Sequence, residues 1–174
     1  MRYMALFAGG AMLLGTVAYG QASAQTANAE LRNAQGQKVG SLTLTQEADG
    51  VRVAVEAIGL PPGLHGFHIH AVGKCEPPFT SAGGHFNPGS QNHPHHGGDL
   101  PNLLVNTNGK ASMVVKTARF GVADLFDPDG SALIIHADPD NHANVPARYR
   151  PDPDASTLAT GDAGGRIACG VITK

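Results

Sequence analysis

The chain has 174 residues, of which 41% are hydrophobic and 15% are charged, and its formal net charge is −2 at pH 7. This length suits one domain with a sizeable hydrophobic core rather than two. The small acidic excess contains no block of like charge, which argues against nucleic acid as a partner.

Residues 1–24 have the pattern of a secretory signal, which is removed from the mature protein. Arg2 precedes an apolar run over 4–17, and Ala22 and Ala24 form an A-x-A cleavage pattern. The run is shorter than the roughly 20 residues that a membrane span needs. We therefore expect a signal peptide over 1–24, a mature domain over 25–174, no membrane span, and a periplasmic or secreted protein.

Alternating apolar positions follow, as in half-buried strands. Between residues 30 and 58 they fall at 39, 42 and 44 and again at 51, 53 and 55, with turn-forming residues at Asp49-Gly50. Further strands are predicted over 66–71, 103–106, 111–116, 132–136 and 167–173. The best helix candidate is 122–126, which is long enough for at most one turn.

About eight short strands, punctuated by glycine and proline, predict an all-β fold, either a sandwich or a barrel. Two connections, 76–102 and 137–166, are far longer than ordinary turns and have no periodic pattern of their own. Long connections of this kind need something to order them. A bound metal or a disulfide would supply that order.

The chain has two cysteines, Cys75 and Cys169. Two cysteines in an exported protein usually pair, because the compartment outside the cytoplasm is oxidising. A Cys75–Cys169 disulfide closes a long loop, for which the chain-entropy model gives about 4–5 kcal/mol of stabilisation. Two buried free thiols are the alternative.

All nine histidines lie between His65 and His142. His68 and His70 stand at i and i+2 on a predicted strand, so their side chains point to the same face and can reach one ion together. An H-x-H pair alone is weak evidence, since two surface or core histidines give the same pattern.

Four more potential ligands, His85, His93, His96 and Asp99, follow within one predicted loop. Imidazole suits copper and zinc, and three imidazoles with one carboxylate suit a tetrahedral zinc. The alternative is a solvated polar loop.

Five separated motifs resemble the copper/zinc superoxide dismutase family in order and spacing. They are G-L-H-G-F-H-I-H at 63–70, S-A-G-G-H-F-N-P at 81–88, G-D-L at 98–100, the apolar strand that ends at His136, and G-D-A-G-G-R-I-A-C-G-V at 161–171. The similarity extends over essentially the whole of 25–174. It implies an eight-stranded antiparallel Greek-key barrel or sandwich with two long functional loops, copper and zinc as cofactors, and the superoxide anion as substrate.

The resemblance also implies the roles of individual residues. The implied copper ligands are His68, His70, His85 and His136. The implied zinc ligands are His85, which bridges the two metals, and His93, His96 and Asp99. Asp140 matches the carboxylate that links a copper histidine to a zinc histidine, and Arg166 matches the arginine that attracts and positions the anion. His65 matches a buried structural histidine, whereas His95 and His142 have no counterpart in the family pattern.

By the same resemblance, one superoxide reduces Cu(II) and leaves as dioxygen, and a second oxidises Cu(I) and leaves as hydrogen peroxide, with His85 as proton carrier. The rival interpretation is a metal carrier on the same fold without turnover, since fold alone does not establish activity. The four copper histidines and Arg166 are all present, which favours the enzyme. Either a monomer or a homodimer is compatible with the sequence.

Two features depart from the family pattern. Only Pro94 and His95 separate His93 from His96, where most relatives have a longer insertion. We therefore expect one zinc per chain, bound more loosely than copper, with His95 as an alternative ligand.

The second departure is at the rim of the implied active site. Asp138 and Ala159 occupy positions comparable to the lysines that steer superoxide in some relatives, and the nearby positive charges are Arg148 and Arg150. We expect weaker electrostatic steering, with a correspondingly weaker dependence of the rate on ionic strength.

Overall fold

The computed structural model describes residues 25–145 and 152–174. The predicted signal segment, 1–24, and two residues of the predicted rim, Arg148 and Arg150, lie outside these ranges. Nine strands occur in the described residues, and they are β1 Thr26–Asn33, β2 Lys38–Glu47, β3 Gly50–Ala57, β4 Gly63–His65, β5 Phe67–His70, β6 Leu103–Val105, β7 Ala111–Thr117, β8 Ala132–His136 and β9 Arg166–Val171.

Seven strands form one antiparallel sheet in the order β5-β8-β9-β1-β2-β3-β7, and β4 pairs with β6 in a second sheet. The small sheet joins the two edges of the large one, because β4 continues into β5 and β6 contacts β7. The strands therefore surround a common core, and the predicted all-β class is confirmed.

Two of the nine strands, β1 and β4, have no counterpart among the strands located from the sequence, and β4 is separated from β5 by Gly66. On its N-terminal side His65 pairs with Leu103 of β6, and on its C-terminal side Phe67 pairs with Ile135 of β8. A Cβ at position 66 would lie 2.6 Å from the Cβ of Ala163. Glycine is therefore required where the chain passes from one sheet to the other.

The alternation predicted for β2 and β3 matches the register of the sheet. Leu42 lies opposite Val55 and Leu44 opposite Val53 in the antiparallel pair. All four side chains are buried in the main core. Burial of one apolar face on each strand is thus the reason for the period of two.

The helical segments are short. One-turn 3-10 helices occur at Thr80–Ala82 and, as predicted, at Val122–Phe126, and the α-helix α1 spans Ala155–Thr160. The helix α1 was not predicted from the sequence. It begins after Asp154, whose carboxylate accepts a hydrogen bond from the Thr157 N–H at 2.9 Å. Within the described residues, no helix is long and apolar enough to cross a membrane.

The two long connections are tied to the barrel and to each other. The predicted disulfide between Cys75 and Cys169 is present, with a Cα–Cα distance of 5.7 Å, and it fastens the first connection to β9. The His93 N–H donates to the Leu158 carbonyl at 2.9 Å, which joins the first connection to α1 in the second. These links hold the predicted ligands of the first connection, His85, His93, His96 and Asp99, beside β5 and β8.

Candidate metal centre

Strands β5 and β8 position three of the predicted copper ligands. His68 and His70 lie on one face of β5, which pairs with β8 through His68 opposite Ile134 and His70 opposite Ala132. His136 ends β8 beside a register irregularity. The first long connection folds back along β5, since isolated β-bridges join His70 to His85 and His68 to Asp99.

The predicted ligands form two buried groups, within each of which the ligand atoms lie within 4.8 Å of one another. The first group contains His68, His70, His85 and His136, and the second contains His85, His93, His96 and Asp99. His85 belongs to both groups, so its ring lies between them. Neither His65 nor His95 belongs to a group among the described residues.

Outer contacts select the ring nitrogen that each histidine of the first group turns inward. His70 Nδ1 donates to the Gly83 carbonyl at 2.9 Å, and His136 Nδ1 contacts the Gly164 carbonyl at 3.2 Å. The Nε2 atoms of His70 and His136 are consequently free to face each other, 3.3 Å apart. Two nitrogens at this separation are suited to binding one ion.

Two buried nitrogens provide the test of whether the first group fits a metal. His68 Nδ1 and His85 Nε2 have no hydrogen-bond partner among the described residues. An unpaired buried polar atom destabilises a fold unless something bonds to it. A metal ion held by the four imidazoles would satisfy both nitrogens, so these residues fit copper.

The second group fits zinc by the same test and by its donor set. Asp99 Oδ1 lies 2.7 Å from His85 Nδ1 and 3.2 Å from His96 Nδ1, and Asp99 Oδ2 lies 3.1 Å from His93 Nδ1. His93 Nδ1 is not aligned for a hydrogen bond and is the third buried nitrogen without one. Three imidazoles and one carboxylate are a common tetrahedral zinc set.

Asp140 links the two groups. Its Oδ2 accepts a hydrogen bond from His68 Nε2 at 2.7 Å, and its Oδ1 accepts one from His93 Nε2 at 2.8 Å. Asn102 holds the backbone of Asp140 at both ends, because the Asp140 N–H donates to Asn102 Oδ1 and Asn102 Nδ2 donates to the Asp140 carbonyl, each at 2.8 Å. Both rings are oriented through one carboxylate.

Burial keeps the histidines of the first group in the neutral form that binds metals. It lowers the pKa of His68 to about 4 despite the hydrogen bond to Asp140, and it lowers the pKa of His136 to about 3. Burial also holds the pKa of His70 well below its ordinary value. All three therefore present a nitrogen lone pair at neutral pH.

At His93 the pKa is raised rather than lowered, because the carboxylates of Asp99 and Asp140 lie beside its ring. Burial alone would lower the pKa of His93, but the hydrogen bond to Asp140 and the Asp99 carboxylate close to Nδ1 raise it to about 9 in the absence of metal. Burial would conversely raise the pKa of both carboxyl groups. The hydrogen bond from His85 and the nearby His93 ring lower the pKa of Asp99 instead, and hydrogen bonds from His68 and His93 lower that of Asp140. Asp99 and Asp140 are therefore negatively charged and attract a cation.

A cavity of about 480 Å³ opens onto the first group. Its lining includes His70, His85, His136 and Arg166, and α1 contributes Ser156, Ala159 and Thr160 to the wall. Arg166 is held by hydrogen bonds from Nη1 to the Phe79 carbonyl and from Nη2 to the Gly83 carbonyl, both 2.6 Å. A fixed guanidinium beside three imidazoles can hold a small anion next to the group.

The rim residues predicted from the sequence are placed differently. Ala159 lines this cavity, whereas Asp138 is exposed and is not part of the lining. A larger cavity of about 640 Å³ lies beside Cys75 and Cys169 and contains none of the predicted ligands.

Three residues that support the centre were not identified from the sequence. Arg119 Nη1 donates to the carbonyls of Pro94 at 2.9 Å and Asp99 at 3.2 Å, and so holds the short segment from His93 to Asp99. Asn102 bonds to the Asp140 backbone, and Gly161 leaves room for the Asp140 carboxylate. Gly161 lies within the recognised motif at 161–171, but its contact with Asp140 has no signal in the sequence. His142, also unassigned, forms a third group with His93 and Asp140.

A β-barrel with two adjoining imidazole-rich groups that share one histidine defines a protein built to hold two metal ions side by side. Sequence comparison agrees, since the family described as copper/zinc superoxide dismutase (SODC) matches residues 38–172. The chain belongs to the copper/zinc superoxide dismutase family, which implies copper and zinc as its cofactors.

Individual relatives support the same family. The chain is 45% identical over 150 residues to a superoxide dismutase (Cu-Zn) of Mycolicibacterium paratuberculosis, covering 76% of this chain but only 62% of that protein. Among solved structures, a SOD-like protein from Bacillus subtilis is 34% identical with a TM-score of 0.68, covering 82% of this chain and 95% of that one. The Cu/Zn superoxide dismutase from Brucella abortus is 30% identical with a TM-score of 0.67, covering 86% of this chain and 100% of that one.

Proposed function

We propose that this chain is a superoxide dismutase, which converts superoxide to dioxygen and hydrogen peroxide. The proposal assigns copper to His68, His70, His85 and His136, and zinc to His85, His93, His96 and Asp99. The observation that carries it is the pair of unpartnered buried nitrogens, His68 Nδ1 and His85 Nε2, within a group of four imidazoles. Family membership supplies the identity of the reaction.

Copper bound by these imidazoles supplies the one-electron redox chemistry that dismutation requires. Arg166 attracts and positions the anion, because its charge is fixed at the cavity wall by two carbonyl oxygens. A guanidinium has five N–H donors, so it can keep both bonds and still bind superoxide. Arg166 thus determines where the anion rests relative to the imidazoles.

His85 is assigned the proton-carrying role. Its Nδ1 lies against Asp99 while its Nε2 is the buried nitrogen without a partner, and the residue also lines the cavity. A proton held at Nε2 would be within reach of an anion in that cavity. Asp99 fixes the ring so that Nε2 stays directed toward the first group.

The test is metal analysis beside a superoxide-consumption assay on the purified protein. We expect one copper and one zinc per chain and rapid turnover that is lost when copper is removed and restored when copper alone is returned. A protein that binds copper stoichiometrically yet does not accelerate superoxide consumption would be a metal carrier instead.

We further propose that residues 1–24 are cleaved and that the mature domain, 25–174, removes superoxide outside the cytoplasm as a monomer or homodimer. The signal-like pattern of 1–24 and the Cys75–Cys169 disulfide support export, because disulfides persist in oxidising compartments. N-terminal mass spectrometry of protein from a periplasmic fraction should give a chain that starts at Gln25. An intact Met1 and a cytoplasmic location would contradict export.

A further inference from the structure

We propose that His93, Asp140 and His142 form an outer divalent-cation site through which zinc is loaded into the buried group of His85, His93, His96 and Asp99. This inference rests on the zinc assignment made above. Beyond the two buried groups, the described residues contain one other set of histidine and carboxylate ligand atoms within 4.8 Å of one another, and it is this one. His142 belongs to neither buried group.

The outer group is open to solvent at one end. The side chain of His142 is 45% exposed, whereas those of His93 and Asp140 are fully buried. A cavity of about 290 Å³ is lined by both His142 and the zinc ligand Asp99. The same opening therefore reaches one residue of the outer group, His142, and one residue of the buried group, Asp99.

The His142 N–H donates to Asp140 Oδ1 at 2.6 Å, whereas the His142 imidazole is placed for a shared ion rather than for a direct bond to that oxygen. Its Nδ1 lies 3.7 Å from Asp140 Oδ1, which is too long for a hydrogen bond. That separation is close to the roughly 3.4 Å between two ligands of a tetrahedral zinc with bonds of about 2.1 Å. The rings of His142 and His93 are parallel within 7°, with centroids 6.3 Å apart, so both stand beside the same carboxylate.

His142 can adopt the tautomer that this role requires. Its Nε2 now lies 3.3 Å from Asn102 Nδ2, a long contact at an exposed ring. When a cation binds at His142 Nδ1, the ring proton is on Nε2. The Nε2–H then donates to water and no longer contacts Asn102 Nδ2. Asn102 keeps its two shorter bonds to the Asp140 backbone.

His93 connects the outer group to the buried one. Its Nε2 faces Asp140 and its Nδ1 faces Asp99. A neutral imidazole has one nitrogen lone pair, so His93 binds a cation in only one group at a time. When the cation is in the outer group, the proton of His93 is on Nδ1 and faces Asp99. When the cation moves to the buried group, Nδ1 gives its proton to water, Nε2 takes one up from water, and the Nε2–H then donates to Asp140.

Charge around the opening favours a cation. Asp99 lines the opening, and the Asp140 carboxylate lies 3.7 Å from the His142 ring that also lines it. The positively charged residue of this lining is Arg119, whose Nη1 donates to the carbonyls of Pro94 and Asp99. The histidines His93 and His96 of the buried zinc group are not exposed to solvent. His142 provides the imidazole that solvent can reach.

Zinc-loading kinetics test the proposal. Copper-loaded, zinc-free protein is mixed with limiting zinc chloride, and free zinc is followed with a chromogenic indicator in wild type, His142→Gln and the matched control His95→Gln. His95 is an exposed histidine of the zinc-binding loop and belongs to none of the ligand groups formed by the described residues. We expect His142→Gln to slow loading by about tenfold, the scale of losses seen when partners of metal ligands are changed, while His95→Gln loads at the wild-type rate.

Equilibrium measurements separate loading from structure. The final zinc stoichiometry and affinity of His142→Gln should equal those of wild type, since the buried ligands are intact. Loading at the wild-type rate, equal slowing in both variants, or an affinity that falls as far as the rate would overturn the outer site. Failure of wild type to take up any zinc would instead refute the zinc assignment itself, and the outer site with it.

Discussion

Gly161 leaves the space that the Asp140 carboxylate occupies. A Cβ at position 161 would lie 2.0 Å from Asp140 Oδ1 and 2.5 Å from His93 Nε2, and the residue has a φ of 61°. Its N–H also donates to the Thr157 carbonyl at the end of α1. One glycine therefore ends the helix and admits the carboxylate that joins the two groups.

Gly161→Ala should consequently displace Asp140 and weaken the retention of zinc. The left-handed backbone alone destabilises alanine by about 1–3 kcal/mol, and the clash with Asp140 adds to this. Thermal unfolding and zinc release to a chelator measure the two effects. Gly165→Ala is the control, because a Cβ there meets nothing within 4 Å; equal losses in both variants would contradict the role of Gly161.

His136→Ala should abolish copper binding and superoxide turnover while the β-barrel persists. The substitution removes one of four imidazoles at the end of β8, and the strand itself stays paired with β5 and β9. Copper analysis, the dismutase assay and far-ultraviolet circular dichroism measure the three properties. Near-normal turnover in the variant would refute the copper assignment.

Arg166→Glu should retain both metals and slow the reaction, since it reverses the charge that meets the anion. Arg166→Lys should lose less activity, because a positive charge remains although the planar fork that bonds two carbonyls is gone. Rates measured over a range of ionic strength distinguish the variants. Identical rates for all three proteins would exclude Arg166 from the reaction.

The histidine groups were predictable because their members occupy local patterns. His68 and His70 alternate on a strand, and His85, Asp99, His136 and Arg166 stand within motifs. The supporting residues depend on contacts between distant segments, such as Asn102 with Asp140 and Arg119 with Pro94. The helix α1 was missed because it has six residues and buries only Thr157, which leaves no apolar period to detect.

Arg119 explains how a short loop can still present His96 and Asp99. Its Nη1 donates to the Pro94 carbonyl at 2.9 Å, to the Asp99 carbonyl at 3.2 Å and to the His96 carbonyl at 3.4 Å. Arg119→Met should preserve the core and copper binding but release zinc faster. Chelator-induced zinc loss measures this, with Arg52→Met on the distant strand β3 as control; unchanged release would show that the loop holds its shape without Arg119.

Stability of the metal-free protein should be greatest near pH 6.5 and fall on both sides. The folded state holds the pKa of His68 near 4 and of His136 near 3, below the ordinary value of 6.5. As the pH falls from 6.5 toward 4, the unfolded chain binds protons that the folded chain does not, so stability decreases. His93 acts oppositely, since its pKa is raised to about 9: its contribution is complete below pH 6.5 and is lost as the pH rises through 9.

Denaturant unfolding of the metal-free protein at a series of pH values measures this profile. The declines in stability on the acid and the alkaline side arise from different residues, so different variants should affect them. His93→Gln should flatten the decline between pH 6.5 and 9. His136→Gln should reduce the decline below pH 6.5. Asp99 and Asp140 have lowered pKa values, so their contribution to stability is constant at every pH above the ordinary carboxyl range. They therefore do not contribute to either decline. An alkaline decline that persists in His93→Gln would show that the Asp99 and Asp140 carboxylates do not hold a proton on His93.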